Sequence, residues 1–308
     1  MISAYAWPQS LVAGESVGLH VSADTGTVDI EIVRQGAVDE TVWQRRGVAV
    51  GNHPTPADAS VNGCGWPVAV AVDTEAGWRS GFYLVRLRGA EAVAHAFFVV
   101  RAAAPGRDTS RLLVLSTSTW AAYNDWGGPS YYTGGFRSAL QRPLPGGFLE
   151  RPEALRFRAA LLHTIPPEEG LEYLSRDISL WCIAAGWAQW ERFFVAWAER
   201  HGFTFDFAAS ADLETVPGLL DPYRLYVSVG HDEYWSAPMR DAVEGFVARG
   251  GNAAFFSGNT AFWQIRFEDG ATAQVSYKLS PEKDPLFGTA DERHVATMWS
   301  DPLAQRPE

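Results

Sequence analysis

A short apolar run at residues 225–229 ends at Gly230 and is followed at once by a polar cluster. The cluster consists of His231, Asp232 and Glu233, and two aromatic residues come directly after it. In a parallel α/β sheet, a buried strand that ends in this way delivers reactive side chains to the carboxyl edge of the sheet. The stretch therefore predicts a functional site, with Glu233 as a metal ligand and His231 as a proton-handling neighbour.

Strand and helix patterns alternate on both sides of this stretch, from residue 111 to residue 256. The apolar runs are typical of buried strands, and segments with helical periodicity separate them. This alternation predicts βαβ units with right-handed crossovers, and hence an α/β fold with a parallel sheet. The expected strands are 112–115, 203–207, 223–229 and 252–256, and the expected helices are 188–201, 238–249 and a short one within 211–220.

The first 102 residues have a different pattern, in which apolar and polar residues alternate in short runs separated by turn signals. This period of two predicts an all-β, immunoglobulin-like sandwich. Residues 103–110 are rich in small residues, proline and glycine, and we expect them to form a linker. The α/β domain then covers residues 111–308, and we expect it to be incomplete at its C-terminal end because the pattern weakens after residue 265. The expected sandwich strands are 16–22, 28–33, 66–72, 82–87 and 94–100.

Composition limits the class of protein. A chain of 308 residues with 47% hydrophobic and 13% aromatic residues can form about two folded domains. Its net charge of −11 argues against nucleic-acid and anionic-membrane partners, which need a basic surface. No apolar run is long enough to cross a bilayer and no signal-peptide pattern is present, so we expect a cytoplasmic protein. The two cysteines, Cys64 and Cys182, lie in different halves of the chain and are expected to be buried, reduced thiols.

Polar loops follow three strands of the predicted parallel sheet. They comprise residues 116–124 after the first strand, 231–234 after the third and 257–260 after the fourth. Because the carboxyl ends of parallel strands meet at one edge of a sheet, we expect these loops to converge although they are far apart in the sequence.

Several kinds of chemistry are excluded at these loops. The sequence has no G-x-S-x-G elbow and no cysteine after a strand end, which argues against nucleophilic catalysis by serine or cysteine. It also lacks G-x-G-x-x-G and P-loop motifs, so a nucleotide site is not expected. The remaining side chains are rich in oxygen: Glu233 and the tyrosines at 123, 131, 132 and 234. Carboxylate and phenolate are hard donors that suit a hard cation, and two phenolates with one carboxylate would neutralise a ferric ion.

Three motifs together resemble the large (beta) subunit of N,N-dimethylformamidase and its relatives. They are T-W-A-A-Y-N-D-W-G-G-P-S-Y-Y at 119–132, G-H-D-E-Y at 230–234 and S-G-N-T at 257–260, and the resemblance covers about residues 105–275. It implies a class I glutamine-amidotransferase-like fold, with a flavodoxin-like three-layer arrangement, for the C-terminal domain.

The resemblance also implies a mononuclear iron (Fe³⁺) site. Matched motif by motif, its ligands are Tyr123, Tyr132 and Glu233, with Tyr131 as the alternative to the adjacent Tyr132. His231 would line the same pocket, together with Asn259.

The implied activity is hydrolysis of the C–N bond of a small, N-substituted amide. In this interpretation His231 carries a proton from water to the leaving amine, while Asn259 donates a hydrogen bond to the oxyanion.

Two alternatives remain open. One is a non-catalytic binding or scaffold protein with a degenerate amidotransferase-like domain and a carbohydrate or protein partner. The other is a hydrolase that uses a different metal. Beyond the small amide, the expected partners are further copies of the chain or a small subunit.

Overall fold

Residues 1–102 form two facing β-sheets. The computed structural model describes residues 1–152, 165 and 167–304. The strands of the first part are β1 (Ile2–Trp7), β2 (Ser10–Val12), β3 (Ser16–Ala23), β4 (Thr27–Gln35), β5 (Glu40–Ala49), β6 (Val68–Asp73), β7 (Gly81–Arg88) and β8 (Val93–Arg101), with a short helix α1 (Ala59–Asn62) between β5 and β6. One sheet has the order β1-β3-β6 and the other has the order β2-β8-β7-β4-β5.

Alternate residues of these strands fill the space between the two sheets, as the period of two predicts. In β3, for example, Val17, Leu19 and Val21 belong to this core. All five strands expected from the sequence are present, with ends shifted by at most a few residues. Strand β5 was not expected, because most of its side chains are exposed and it carries no apolar alternation. The immunoglobulin-like classification stays a prediction.

Strand β7 is buried on both of its faces. Tyr83 and Val85 belong to the core between the two sheets, whereas Phe82 and Leu84 belong to a second core that continues into the rest of the molecule. Phe82 stacks on Trp187 with ring centroids 4.0 Å apart. The five-stranded sheet therefore separates two cores and contributes to both.

The second part of the chain contains a parallel sheet and its flanking helices. Its elements are β9 (Arg111–Leu115), α2 (Thr117–Tyr123), β10 (Arg137–Ala139), α3 (Pro167–Ser175), α4 (Glu191–Arg200), β11 (Asp206–Ala209), α5 (Asp212–Thr215), β12 (Leu225–His231), β13 (Tyr234–Ser236), α6 (Ala237–Ala248), β14 (Asn252–Gly258), β15 (Trp263–Glu268) and β16 (Ala273–Val275).

The parallel sheet has the order β11-β9-β12-β14, so the expected parallel arrangement and α/β class are confirmed. The chain first places β11 on one side of β9 and then places β12 on the other side. The carboxyl ends of β9 and β12 therefore lie at a topological switch point, where α/β sheets bind their ligands.

The expected strand at 203–207 is displaced, because β11 starts at Asp206. Phe203 is instead exposed and packs on Trp197 at the end of α4, after the left-handed Gly202 has ended that helix.

A second sheet with the order β10-β16-β15-β13 lies beside the switch point. The sequence pattern weakens after residue 265, but β15 and β16 form there and are largely buried. Strands of three residues, such as β10 and β16, are too short for alternation to be recognised in the sequence. This sheet brings residues 263–278 next to the carboxyl end of β12, which the motifs alone did not predict.

Cys64 and Cys182 are buried and form no disulfide, as expected. In the described part of the chain, every helix is too short or too polar to span a bilayer.

Candidate metal centre

Three of the residues expected at the site come together at the ends of β9 and β12. The hydroxyl of Tyr123, the last residue of α2, donates to Oε2 of Glu233 at 3.0 Å. The hydroxyl of Tyr132 donates to the same oxygen at 2.9 Å. The two tyrosine rings are stacked with centroids 4.2 Å apart. Three oxygen atoms, from the end of α2, from the segment after it and from the residues after β12, thus meet at one point.

Gly230 allows the chain to turn at the end of β12. Its φ is +86°, and a Cβ at this position would lie 2.3 Å from Cβ of Trp190. Glycine is therefore required for both its conformation and the close approach. His231 is still paired with Gly258 of β14 as the last residue of β12, and the chain leaves the sheet after it, where the backbone of Glu233 reaches α2.

Helix α2 is tied directly to this turn. The hydroxyl of Thr119 accepts a hydrogen bond from the backbone N–H of Glu233 at 2.9 Å, and Thr119 is fully buried. Tyr123 lies four residues later, one helical turn along α2. The spacing between Tyr123 and Glu233 is thus fixed through Thr119.

The adjacent tyrosines, Tyr131 and Tyr132, have different surroundings. The hydroxyl of Tyr131 donates to the backbone carbonyl of Gln274 at 2.7 Å and lies in the core. Only Tyr132 of this pair contacts Glu233 among the described hydrogen bonds. The geometry favours Tyr132 as the candidate ligand.

Two further side chains contact this group. Trp263 donates from Nε1 to the other oxygen of Glu233, Oε1, at 2.9 Å. Tyr234 donates from its hydroxyl to the hydroxyl of Tyr132 at 2.9 Å. Glu233 is only 5% exposed, and a buried carboxylate needs hydrogen-bond donors from the protein. Tyr123, Tyr132 and Trp263 supply them.

His231 and Asn259 also lie at the site. His231 Nδ1 is 2.8 Å from the carbonyl oxygen of Ala184, and Nε2 is 3.2 Å from Nδ2 of Asn259. A carbonyl only accepts, so Nδ1 carries the proton in the neutral ring and Nε2 accepts from Asn259. Nε2 also lies 3.3 Å from Oε2 of Glu233. The ring nitrogen that can exchange a proton therefore lies at the edge of the oxygen cluster.

Lys278 is a site residue that no sequence motif indicated. Its Nζ lies over the ring of Tyr132, 3.3 Å from the centroid, and 4.9 Å from the ring centroid of Trp263. Burial lowers its pKa to about 8, while Glu233 acts in the opposite direction. Lys278 follows β16 in the sequence, in a segment whose polar composition is typical of an exposed tail. Its position depends on the second sheet, which had not been expected.

The surroundings of the two phenols keep them protonated in the absence of a cation. Burial raises the pKa of Tyr123 well above its ordinary value, and the negative charge of Glu233 acts in the same direction. Burial likewise raises the pKa of Tyr132, with Tyr234 and Glu233 adding to the effect. A ligand that replaces these protons has to carry a high positive charge.

The donor set fits a hard cation. Among residues 1–152, 165 and 167–304, no three His, Cys, Asp or Glu side chains form a cluster suited to a metal, so a cation here would depend on the phenol oxygens. Two phenol oxygens and one carboxylate oxygen suit a hard, highly charged ion better than zinc, which favours nitrogen and sulfur. The residues present therefore fit the iron that the resemblance implies.

Comparison with known proteins extends the resemblance well beyond the three motifs. A search of curated proteins gave no match. The sequence model of the family described as N,N-dimethylformamidase beta subunit-like, C-terminal, matches residues 28–308, which include most of the β-sandwich as well as the parallel sheet. The chain therefore belongs to the N,N-dimethylformamidase beta subunit-like, C-terminal family.

Proposed function

We propose that the chain is a metal-dependent amidohydrolase that cleaves the C–N bond of a small, N-substituted amide at a single ferric ion. Tyr123, Tyr132 and Glu233 would hold the ion. The observation that supports this most directly is the convergence of two tyrosine hydroxyls on one carboxylate oxygen, within 3.0 Å, in a member of this family. When bound, the ion supplies Lewis acidity that polarises a carbonyl group and lowers the pKa of water.

His231 is the proposed general base. Its Nδ1–H is held by the carbonyl of Ala184, so the lone pair is on Nε2, which accepts from the amide of Asn259 at 3.2 Å and lies 3.3 Å from Oε2 of Glu233. This nitrogen takes a proton from the attacking water and returns it to the nitrogen of the leaving amine. The role is supported by the position of Nε2, which lies next to Glu233 without being fixed by a strong donor.

Asn259 is the proposed donor to the substrate carbonyl. One N–H of its amide is used by Nε2 of His231, and an amide group has two. The second N–H is available for the carbonyl oxygen as negative charge develops on it. The backbone of Asn259 is left-handed, with φ of 51°, and its side chain reaches the end of β12 through this contact with His231.

Aromatic side chains border the proposed substrate site. Trp181 packs against Tyr123 and Tyr132, with ring centroids 5.8 and 5.3 Å away, and Trp263 is almost fully buried beside them. Apolar walls of this kind favour substrates with small apolar substituents and limit access of bulk water. We therefore propose small N-alkyl amides as the substrate class.

The proposal includes a finer fold assignment, a partner and a location. Numbered along the chain, the strands of the parallel sheet have the spatial order 2-1-3-4, because β11 lies outside β9 while β12 and β14 follow on the other side. This order supports a flavodoxin-like, glutamine-amidotransferase-like domain. The family description names a beta subunit, which supports assembly with a different, smaller subunit. A cytoplasmic location is supported by the two unpaired, buried thiols.

The test combines metal analysis with activity. Protein purified without chelator should contain about one equivalent of iron, absorb visible light through tyrosinate-to-iron charge transfer, and release dimethylamine from N,N-dimethylformamide. Glu233→Gln should lose the iron, the colour and the activity, because one ligand charge is removed. Glu172→Gln, at an exposed residue paired with Arg176, is the matched control and should keep all three.

Folded protein with less than about a tenth of an equivalent of iron, and unable to take up more, would contradict the proposal. A colourless, inactive protein whose melting temperature is unchanged in Glu233→Gln would favour the non-catalytic binding protein instead.

A further inference from the structure

We propose that Trp263 and Tyr234 are positioning residues of the metal centre, and that together they set how Glu233 and Tyr132 present their oxygens to the ion. Trp263 would restrict Glu233 to ligation through Oε2, and Tyr234 would tune the donor strength of Tyr132. This inference rests on the proposed function and concerns the same site. No motif in the sequence assigns either role.

The two oxygens of Glu233 have different partners. Oε2 accepts from both candidate tyrosine ligands, whereas Oε1 accepts from Nε1 of Trp263 at 2.9 Å. An indole N–H is a donor only, and Trp263 is 94% buried, so it would lose its partner if Oε1 turned away. Leaving a buried donor unpaired costs about 1–3 kcal/mol, which keeps Oε1 on the tryptophan.

The backbone strengthens this arrangement. The carbonyl oxygen of Glu233 accepts from the backbone N–H of Trp263 at 2.9 Å and from that of Phe262 at 3.0 Å. Glu233 is thus held to the start of β15 by three hydrogen bonds, two from the main chain and one from the indole. Rotation of the carboxylate alone would break the third and leave the other two in place.

Tyr234 contacts the other candidate ligand, Tyr132, and it lies on β13, the strand that pairs with β15. Its hydroxyl donates to the oxygen of Tyr132 at 2.9 Å, and the residue is fully buried. In the parallel pairing of β13 with β15, Tyr234 is the register partner of Trp263. One pair of strands therefore delivers two donors, one to the carboxylate and one to a phenol.

Each donor has a predictable effect on a bound ion. A hydrogen bond to a ligand oxygen withdraws electron density from it, and removal of such outer partners typically costs 10–100-fold in metal affinity. Loss of the bond from Tyr234 should raise the energy of the donor electrons on Tyr132. The tyrosinate-to-iron absorption should then move to longer wavelength.

The test compares the iron-loaded wild type with Tyr234→Phe and Trp263→Phe. Tyr234→Phe should keep iron while its visible maximum moves to longer wavelength. Trp263→Phe should bind iron about 10–100-fold more weakly in a titration with a competing chelator. Both readouts are independent of turnover.

Matched controls separate these effects from a general loss of packing. Tyr131→Phe removes a buried hydroxyl that bonds the carbonyl of Gln274, and it should leave the absorption maximum unchanged. Trp187→Phe removes a buried indole N–H that bonds Gln35 at 2.8 Å in the core, and it should leave iron affinity unchanged.

The outcomes distinguish this inference from the proposed function. If the wild type is coloured and binds iron but both variants match it in absorption and affinity, the positioning roles are wrong while the metal centre stands. If the wild type takes up no iron, the proposed function and this inference are both wrong.

Discussion

Gly230 is the single residue on which the direction of the strand end depends. Its φ of +86° and the predicted contact of 2.3 Å with Trp190 leave no room for a side chain. We expect Gly230→Ala to destabilise the protein by about 2–5 kcal/mol, because a left-handed alanine costs about 1–2 kcal/mol and a core overlap about 1–3 kcal/mol. Denaturation by urea measures the loss, and iron uptake should fall with it because Glu233 is displaced.

Gly258→Ala is the control for this change. Gly258 ends the neighbouring strand β14, and a Cβ there would approach no atom closer than 4.0 Å. Its stability should change by less than about 1 kcal/mol. Equal losses in the two variants would show that the turn at Gly230 has no special requirement.

Glu191 should make stability depend on pH. It is 1% exposed at the start of α4, Trp120 donates to its Oε1 at 3.2 Å, and burial raises its pKa from 4.5 to about 8. Because the folded pKa is the higher one, the contribution of this group is fully present below about pH 4.5 and is lost as the pH rises toward 8. The slope contributed by this one group is up to about 1.4 kcal/mol per pH unit.

Glu191→Gln removes this titration. The free energy of unfolding of Glu191→Gln relative to the wild type should therefore increase steadily between about pH 5 and pH 8. Glu172→Gln, at an exposed site, should give a constant offset over the same range. A constant offset for Glu191→Gln as well would mean that its carboxyl is ionised in the folded protein throughout.

Individual site residues differ in how far the sequence predicts them. His231 ends β12, Glu233 follows it, and Tyr123 lies on the helix that follows β9; topology alone brings such residues to one edge of a parallel sheet. Lys278 could not be predicted in this way, because its contact with Tyr132 requires the short strand β16 and the sheet that contains it. The hydrogen bond from Trp263 to Oε1 of Glu233 could not be predicted either, because packing decides which of the two oxygens an indole N–H reaches.

At the scale of elements, α2 matters because it carries Tyr123 and is tied to the end of β12. We expect Thr119→Val to lose about 1–3 kcal/mol, because it leaves the buried N–H of Glu233 without an acceptor while keeping the side-chain shape. Thermal unfolding measures the loss. Thr215→Val, at the exposed last residue of α5, should change stability by less than about 0.5 kcal/mol. Similar values for both variants would contradict a linking role for Thr119.

Elements with strong periodicity were predicted and those without it were not. Strands β9, β12 and β14 were found from their apolar runs, and α6 from its amphipathic pattern and its N-terminal proline. Strand β5 was missed because exposed side chains on both faces leave no alternation. Strand β10 was missed because three residues carry too little pattern, although its pairing with β16 helps to complete the second sheet.

For the whole molecule, the core that contains Phe82 joins the β-sandwich to the parallel sheet. We expect Phe82→Ala to cost about 3–5 kcal/mol, because the ring is fully buried and stacks on Trp187 across this junction. Both parts should unfold in one transition, since they share this core. Calorimetry with far-UV circular dichroism tests both statements.

Val93→Ala is the control at this scale, because Val93 is 58% exposed at the start of β8 and should change stability by less than about 0.5 kcal/mol. Two separate transitions in the wild type would show that the sandwich folds independently of the parallel sheet.

Strand β7 has a further consequence for how the chain tolerates insertions and deletions. Its odd and even positions serve different cores, so one residue added or removed within Gly81–Arg88 would exchange Phe82 and Leu84 with Tyr83 and Val85. The side chains facing each core would then have the wrong sizes and shapes for it. The register of β7 with β4 and its register with β8 would both shift by one residue. Length changes should be tolerated only outside this strand, as in the turn at 89–92, which joins β7 to β8 on the surface.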